Sequence, residues 1–150
     1  MRVLLQRVTR GSVTVDGAII GSVDLGFVAL VGVTYQDTPA DAELLAKKTV
    51  HLRVFDDSDG KMNLSALDVG GGVLVISQFT LYADARRGRR PSFTDAAPAR
   101  IAEPLVDLYA SQLRAEGITR VETGVFGAMM QVEIHNDGPV TILLDTMDLT

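Results

Sequence analysis

Hydrophobic and polar positions alternate through the first part of the chain in a way that predicts strands. Val13-Thr14-Val15, then Asp16-Gly17, then Ala18-Ile19-Ile20 reads as a hairpin, because Asp-Gly supplies the positive φ angles of a tight primed turn. Phe27-Val28-Ala29-Leu30-Val31-Gly32-Val33 is a continuous apolar run, the mark of a strand covered on both faces. The period then changes. Thr38-Pro39-Ala40-Asp41 offers a capping threonine, a proline at the first helical position and an acid in the first turn. Leu44, Leu45 and Leu52 continue an apolar stripe, with Lys48 toward its end. Asp56–Gly60 predicts a turn, Val73–Tyr82 a further strand, and Asp84–Thr94 a polar, basic loop.

A second helix is expected from Pro98 or Glu103 to Glu116, with Leu105, Leu108, Tyr109, Gln112 and Leu113 on one stripe and Gly117 as its stop. Pro104 leaves the starting point open, because proline is poorly tolerated once a helix is under way. Thr119–Thr123, Met129–His135 and Val140–Asp145 complete the strands. The fold class expected is α+β: a curved or barrel-like, mostly antiparallel sheet covered by two helices. The chain of 150 residues shows no repeat and no Pro-, Gly- or Ser-rich linker, so residues 1–150 are read as one domain.

Composition narrows the chemistry. There is no cysteine, which excludes disulfides, thiolate metal sites and cysteine nucleophiles and fits a reducing cytosol. No targeting segment is read at the start, and the longest apolar run is too short to cross a bilayer, so a cytoplasmic protein with no membrane partner is expected. The net charge of −5 argues against a protein that coats nucleic acid generally. A local exception is Asp84–Pro91, where Arg86, Arg87, Arg89 and Arg90 place four arginines within five positions. A charge run is ordinarily a solvated loop, but in an acidic chain this one is the candidate phosphate-binding, and hence RNA-binding, segment.

Two further segments carry candidate chemistry. Ser77-Gln78-Phe79-Thr80 follows the strand Val73–Ile76, and strand period would set Gln78 and Thr80 on one face and Ser77 and Phe79 on the other. Read blandly these are strand-end polar residues; read functionally they form a polar pocket. Thr80 has no local base to activate it. Asn136-Asp137-Gly138-Pro139-Val140-Thr141 reads as a turn between two strands, with a cis Gly-Pro bond as the less ordinary alternative. His51 and His135 lack metal-ligand spacing and are read as structural. Asp56, Asp57 and Asp59 lack the spacing of a calcium loop, and no phosphate-cradling glycine motif occurs, so neither metal nor cofactor is expected.

Taken in order, these segments resemble the D-aminoacyl-tRNA deacylase family across nearly the whole chain. The resemblance runs through Gln6-Arg7-Val8, Asp59–Ser65, Ser77–Asp84, Gly88–Phe93, Thr123–Ala128 and Asn136–Thr141. It implies an enzyme that hydrolyses the ester joining D-amino acids to the 3′ end of tRNA, with glycine as a further candidate acyl group and L-aminoacyl-tRNA rejected. It implies a homodimer with active sites at the subunit interface. Ser77, Gln78, Phe79 and Thr80 would line the pocket of one subunit. Gly138-Pro139, held cis, would enter from the other and exclude the L side chain, with Arg7 bracing the pair. The backbone amides of Phe79 and Thr80 would stabilise the oxyanion while the terminal ribose 2′-hydroxyl takes part in the chemistry; Thr80 as covalent nucleophile is the competing mechanism. A deacylase that edits L-alanine, or an RNA-binding module without turnover, would use the same segments differently.

Overall fold

A computed structural model describes residues 1–149. Strand β1 (Arg2–Val15) turns through Asp16 and Gly17, at φ 49° and 79°, into β2 (Ala18–Val23). Both turn residues lie in the left-handed region, as the Asp-Gly pair requires. β3 (Gly26–Gly32) is buried along both faces and pairs antiparallel with the first half of β1. Helix α1 (Pro39–His51) follows, its start anchored by the Thr38 amide and hydroxyl, both donating to the Asp41 carboxylate at 2.8 Å. Its buried face is Ala42, Leu45, Ala46, Thr49 and Val50, so small residues carry the stripe and Leu44 lies at its margin.

β4 (Phe55–Asp56) and β5 (Met62–Leu64) form a small hairpin around the predicted turn. β6 (Gly72–Ser77) pairs parallel with β3, and β7 (Val121–Thr123) parallel with β6. Between them α2 runs from Ala99 to Ala115, with Pro104 inside it. Pro104 is exposed, so the carbonyl it leaves unpaired one turn back can turn to water, and the helix starts early despite the proline.

The sheet order is β2-β1-β3-β6-β7, and the last strand, β8 (Gln131–Asp145), runs antiparallel along the other side of β1. The outer edges turn back toward each other, with the Arg120 guanidinium donating to Ser22 Oγ at 3.2 Å, giving a nearly closed barrel-like sheet. Antiparallel pairs predominate, but β3, β6 and β7 make the sheet mixed. Alternation along the strands serves two cores. Phe27, Ala29, Val31, Val73 and Val75 face α1 and α2. Val28, Leu74 and Ile76 point the other way, onto Val8, Val13 and Val23 within the curl. A short α3 (Thr146–Leu149) ends the described chain, and no helix among the described residues is long and apolar enough to cross a membrane.

Two expectations need correction. The strand from Val73 does not reach Tyr82; it ends at Ser77, and Phe79–Tyr82 is a 3-10 turn packed where Gly32 leaves room against Leu81 and the Gln78 carbonyl. Asn136–Pro139 does not reverse the chain between two strands. It is a bulge inside the single strand β8, where Gln6 pairs with Thr141 and Val8 with Asn136, so that Asp137–Val140 stand opposite Arg7 alone.

The helices meet at Tyr109, which is fully buried and whose hydroxyl donates to Thr49 Oγ1 at 2.9 Å while Thr49 donates to the Leu45 carbonyl. Burial pushes the Tyr109 phenol up, so it stays protonated throughout the neutral range. Tyr109→Phe should keep the ring packing and lose one buried hydrogen bond, costing about 0.5–1.5 kcal/mol in urea unfolding. A loss well above that range would show that more than this one hydrogen bond depends on the phenol.

Candidate active site at the carboxyl end of strand β6

Strand β6 delivers Ser77 and Gln78 to the carboxyl end of the parallel pair, where the Gln78 amide still bonds the Val31 carbonyl of β3 at 2.7 Å. There the backbone switches to the 3-10 turn. The first bond inside that stretch runs from the Leu81 amide to the Gln78 carbonyl at 3.2 Å. The Phe79 and Thr80 amides, one turn too early for such a bond, donate to no group among the described residues.

A cavity of about 330 Å³ opens beside this turn, lined by Ser77, Gln78 and Phe79, by Ala102 and Val106 of α2, and by the loop Phe126–Met130. Thr80 follows immediately, outside the lining and exposed, and its hydroxyl accepts a hydrogen bond from the Gln78 side-chain amide. An amide cannot take a proton at neutral pH, so Thr80 has no activating base in contact among the described residues.

Three features beside the turn were not legible as site residues. The cavity walls Ala102, Val106 and Phe126 read as ordinary core or loop positions. Arg2 holds the far end of the turn: it donates to the Leu81 carbonyl at 2.9 Å, pairs with Asp145 at 2.7 Å, and lies 4.5 Å from the centre of the Tyr82 ring. Phe93 meets Phe79 edge to face with ring centroids 5.0 Å apart. An aromatic residue at the end of a polar loop was the available signal for Phe93, and nothing local marked Arg2.

The arginine loop springs from the same turn. Asp84 and Ser92 exchange two backbone hydrogen bonds of 2.8 Å, closing the loop that carries Arg86, Arg87, Arg89 and Arg90, all exposed. The arginines are not equivalent. Arg86 is clasped onto Asp84 at 2.8 and 2.7 Å. That guanidinium holds the Asp84 carboxyl down at about 2, so the clasp persists from neutral pH downward and opens only as pH falls through that value. Arg87, Arg89 and Arg90 make no ion pair among the described residues.

The second segment lies elsewhere on the chain. The Gly138-Pro139 peptide is cis, and both residues are exposed on the β8 bulge. Arg7, 5% exposed, reaches beneath it. Its Nε donates to the Asp137 carbonyl at 3.1 Å and its Nη1 to the Val54 carbonyl at 2.7 Å, with Asp56 at 3.4 Å. Asn136 ties the bulge from within, its side-chain oxygen accepting from the Val140 amide at 2.9 Å. Gly138 and Pro139 are absent from the lining of the Ser77–Phe79 cavity, so one chain does not bring the two segments into one pocket.

His51 and His135 each face a carboxylate, Glu116 at 3.4 Å and Glu133 at 2.7 Å, and lie outside the cavity. No group of three or more metal-binding side chains occurs among the described residues.

Comparison with known proteins matches residues 4–145 to a family model described as D-Tyr-tRNA(Tyr) deacylase. A D-aminoacyl-tRNA deacylase of Thermomicrobium roseum is 62% identical over 149 residues, covering 99% of this chain and 96% of that protein. One of Chloroflexus aurantiacus is 58% identical, covering 99% and 92%. Among solved structures, one named c-Myc DNA Unwinding Element Binding Protein superposes with a TM-score of 0.91 at 41% identity, covering 97% of this chain and 98% of that one. A probable eukaryotic D-amino acid tRNA deacylase superposes with a TM-score of 0.81 at 17% identity, covering 95% and 97%, which speaks to the fold alone.

Proposed function

The chain belongs to the D-aminoacyl-tRNA deacylase family and is a hydrolase, and on that premise we propose that it removes D-amino acids from the 3′ end of tRNA in the cytoplasm, sparing L-aminoacyl-tRNA. The observation that carries the mechanism is the pair of amides at Phe79 and Thr80 that find no acceptor among the described residues, beside a Thr80 hydroxyl whose side-chain partner, the Gln78 amide, cannot act as a base. An aminoacyl ester is already activated, so positioning and an oxyanion site suffice, with the ribose 2′-hydroxyl of the substrate handling the proton. Glycine, having no side chain to place, is accepted as well. The test is hydrolysis of matched D-, L- and glycyl-tRNA by the purified protein; equal rates on D- and L-tyrosyl esters would remove the reading.

The working site is formed by two copies. Gly138-Pro139 of one protomer closes the Ser77–Thr80 cavity of its partner, which accounts for the separation of the two segments within one chain. Exposed apolar side chains, Leu143 on β8 and Met129 and Met147 beside its ends, supply surface for such a contact. Mixing a Gly138→Ala protein with a Thr80→Pro protein, which lacks one of the two amides, should then restore D-selective hydrolysis at about a quarter of the sites, through mixed dimers holding one intact pair. A monomer by sedimentation, or no rescue, would exclude the shared site.

The arginine loop binds phosphate. Neutralising Arg89 or Arg90 should lower the slope of log K against log salt by about 0.7–0.9 per residue, through lost counterion release. Neutralising Arg86, already committed to Asp84, should change it less. Salt titrations of tRNA binding check the order; equal, unchanged slopes in all variants would separate the loop from RNA.

A further inference from the structure

Phe79 and Phe93 are 56% and 38% exposed, so their edge-to-face pair keeps much of its apolar surface in water. Burial alone does not explain the pair, since neither ring belongs to either core. It stands between two features of opposite kind. On one side is the backbone of Phe79, where the ester carbonyl is placed. On the other is the closed loop bearing Arg87, Arg89 and Arg90, whose charges have no partner among the described residues, in a chain of net charge −5. Phe93 directly follows Ser92, which closes that loop onto Asp84, so the ring and the free guanidiniums are carried on one rigid base.

Exposed aromatic rings beside unpaired cations are what single-stranded nucleic acid requires: the rings stack bases and the cations follow the backbone. We propose that the Phe79–Phe93 ring pair is a stacking ledge for the base preceding the terminal adenosine of the tRNA 3′ end, with Phe93 as its outer, substrate-specificity residue. This rests on the reading that the ester lies at the Phe79 and Thr80 amides. The terminal ribose is then held there, the next nucleotide passes over the rings, and its phosphates run out along Arg87, Arg89 and Arg90. Stacking takes any base, so the ledge reads the presence of a single-stranded 3′ extension rather than its sequence. A partner protein would have no use for the flanking cations unless it were acidic, whereas RNA uses rings and cations together.

The experiment compares two substrates, a D-aminoacyl ester of adenosine alone and D-aminoacyl-tRNA, on wild type, Phe93→Ala and Phe93→Trp. Phe93→Ala should lower kcat/KM on tRNA by about 5- to 150-fold, chiefly through KM. On the adenosine ester, which has no preceding base, the change should stay within about twofold. Phe93→Trp should restore the tRNA value. The salt slope should be unchanged, because stacking releases no counterions, which sets the ledge apart from the arginines. Equal losses on both substrates would make Phe93 a support for Phe79 and overturn the ledge. A change of sedimentation mass in Phe93→Ala would assign the rings to a subunit contact instead, and undiminished use of tRNA would also reject it. Binding of an uncharged single-stranded RNA ending in adenosine is measured alongside. Should wild type cleave neither ester, the deacylase reading fails, while weaker RNA binding by Phe93→Ala still supports the ledge and unchanged binding refutes it.

Discussion

A substrate ending in 2′-deoxyadenosine should be hydrolysed about 10²- to 10⁴-fold more slowly than its ribose counterpart, the range that removal of a positioned proton-transfer group produces. Thr80→Ala, by contrast, should lose no more than about tenfold. The two expectations follow from one arrangement. Thr80 is exposed, its oxygen accepts from the Gln78 amide, and no base among the described residues is in contact to draw away its proton. The amides of Phe79 and Thr80 belong to the backbone and survive the alanine substitution. They are aligned by a turn that is fixed at both ends, by the Gln78–Val31 bond and by Arg2 on the Leu81 carbonyl. On the proposed mechanism they form an oxyanion site, worth about 10²–10³ per donor, and proton transfer falls to the substrate's own hydroxyl. Single-turnover rates on the two esters measure this directly. An acyl group recovered on Thr80, or fast hydrolysis of the deoxy substrate, would reverse the assignment.

What the sequence discloses depends on how local the cause is. Asp16-Gly17 makes its turn with its own backbone preferences, and Phe27–Val33 needs no more than its run of apolar side chains to be buried twice. Helix α2 survives Pro104 because that residue faces water, which the stripe of Leu105, Leu108, Tyr109, Gln112 and Leu113 did not decide. The switch at Gln78 has no such local cause. Phe79-Thr80-Leu81-Tyr82 alternates like a strand, and it folds as a 3-10 turn where Gly32 of β3 lets the backbone pack close. Asn136–Pro139 is likewise composed as a turn. It becomes a bulge because β1 continues straight past it, pairing at Gln6 and again at Val8. For the site, spacing marked Ser77–Thr80 only as strand-end polar residues, and the family resemblance gave them their roles. The arginine cluster was plain from composition, but the clasp of Arg86 onto Asp84 distinguishes one of the four only in three dimensions.

Gly138→Ala should reduce the preference for D- over L-esters by about 10- to 100-fold, as a displacement on the order of 1 Å at a steric wall does. A pocket that serves many amino acids cannot select the hand through side-chain contacts. A backbone wall beside the α-carbon can, since an L side chain of any identity collides with it. Gly138 suits that wall because it adds no side chain of its own and because φ is 122°, a region L residues rarely adopt. A Cβ there would lie 2.8 Å from Val140 Cγ2, 3.1 Å from Arg7 Nη2 and 3.2 Å from the Val140 nitrogen, so Val140 must move and the bulge is pressed against Arg7. Arg7 is what resists the shift, gripping the Asp137 carbonyl on one side and the Val54 carbonyl on the other. Arg7→Ala should therefore relax the same preference and, by leaving those carbonyls short of a donor, cost about 1–3 kcal/mol of stability in denaturant. The ion pairs to Asp56 and Asp137 add little to that figure, because both carboxylates are about half exposed and screened by water. Arg7→Lys should lose stability too, since one ammonium cannot reproduce the spread of Nε and Nη1. The measurement is the ratio of kcat/KM on D- and L-tyrosyl-tRNA for each folded variant. A Gly138→Ala protein that folds and keeps its D/L ratio would place chiral selection somewhere other than this bulge.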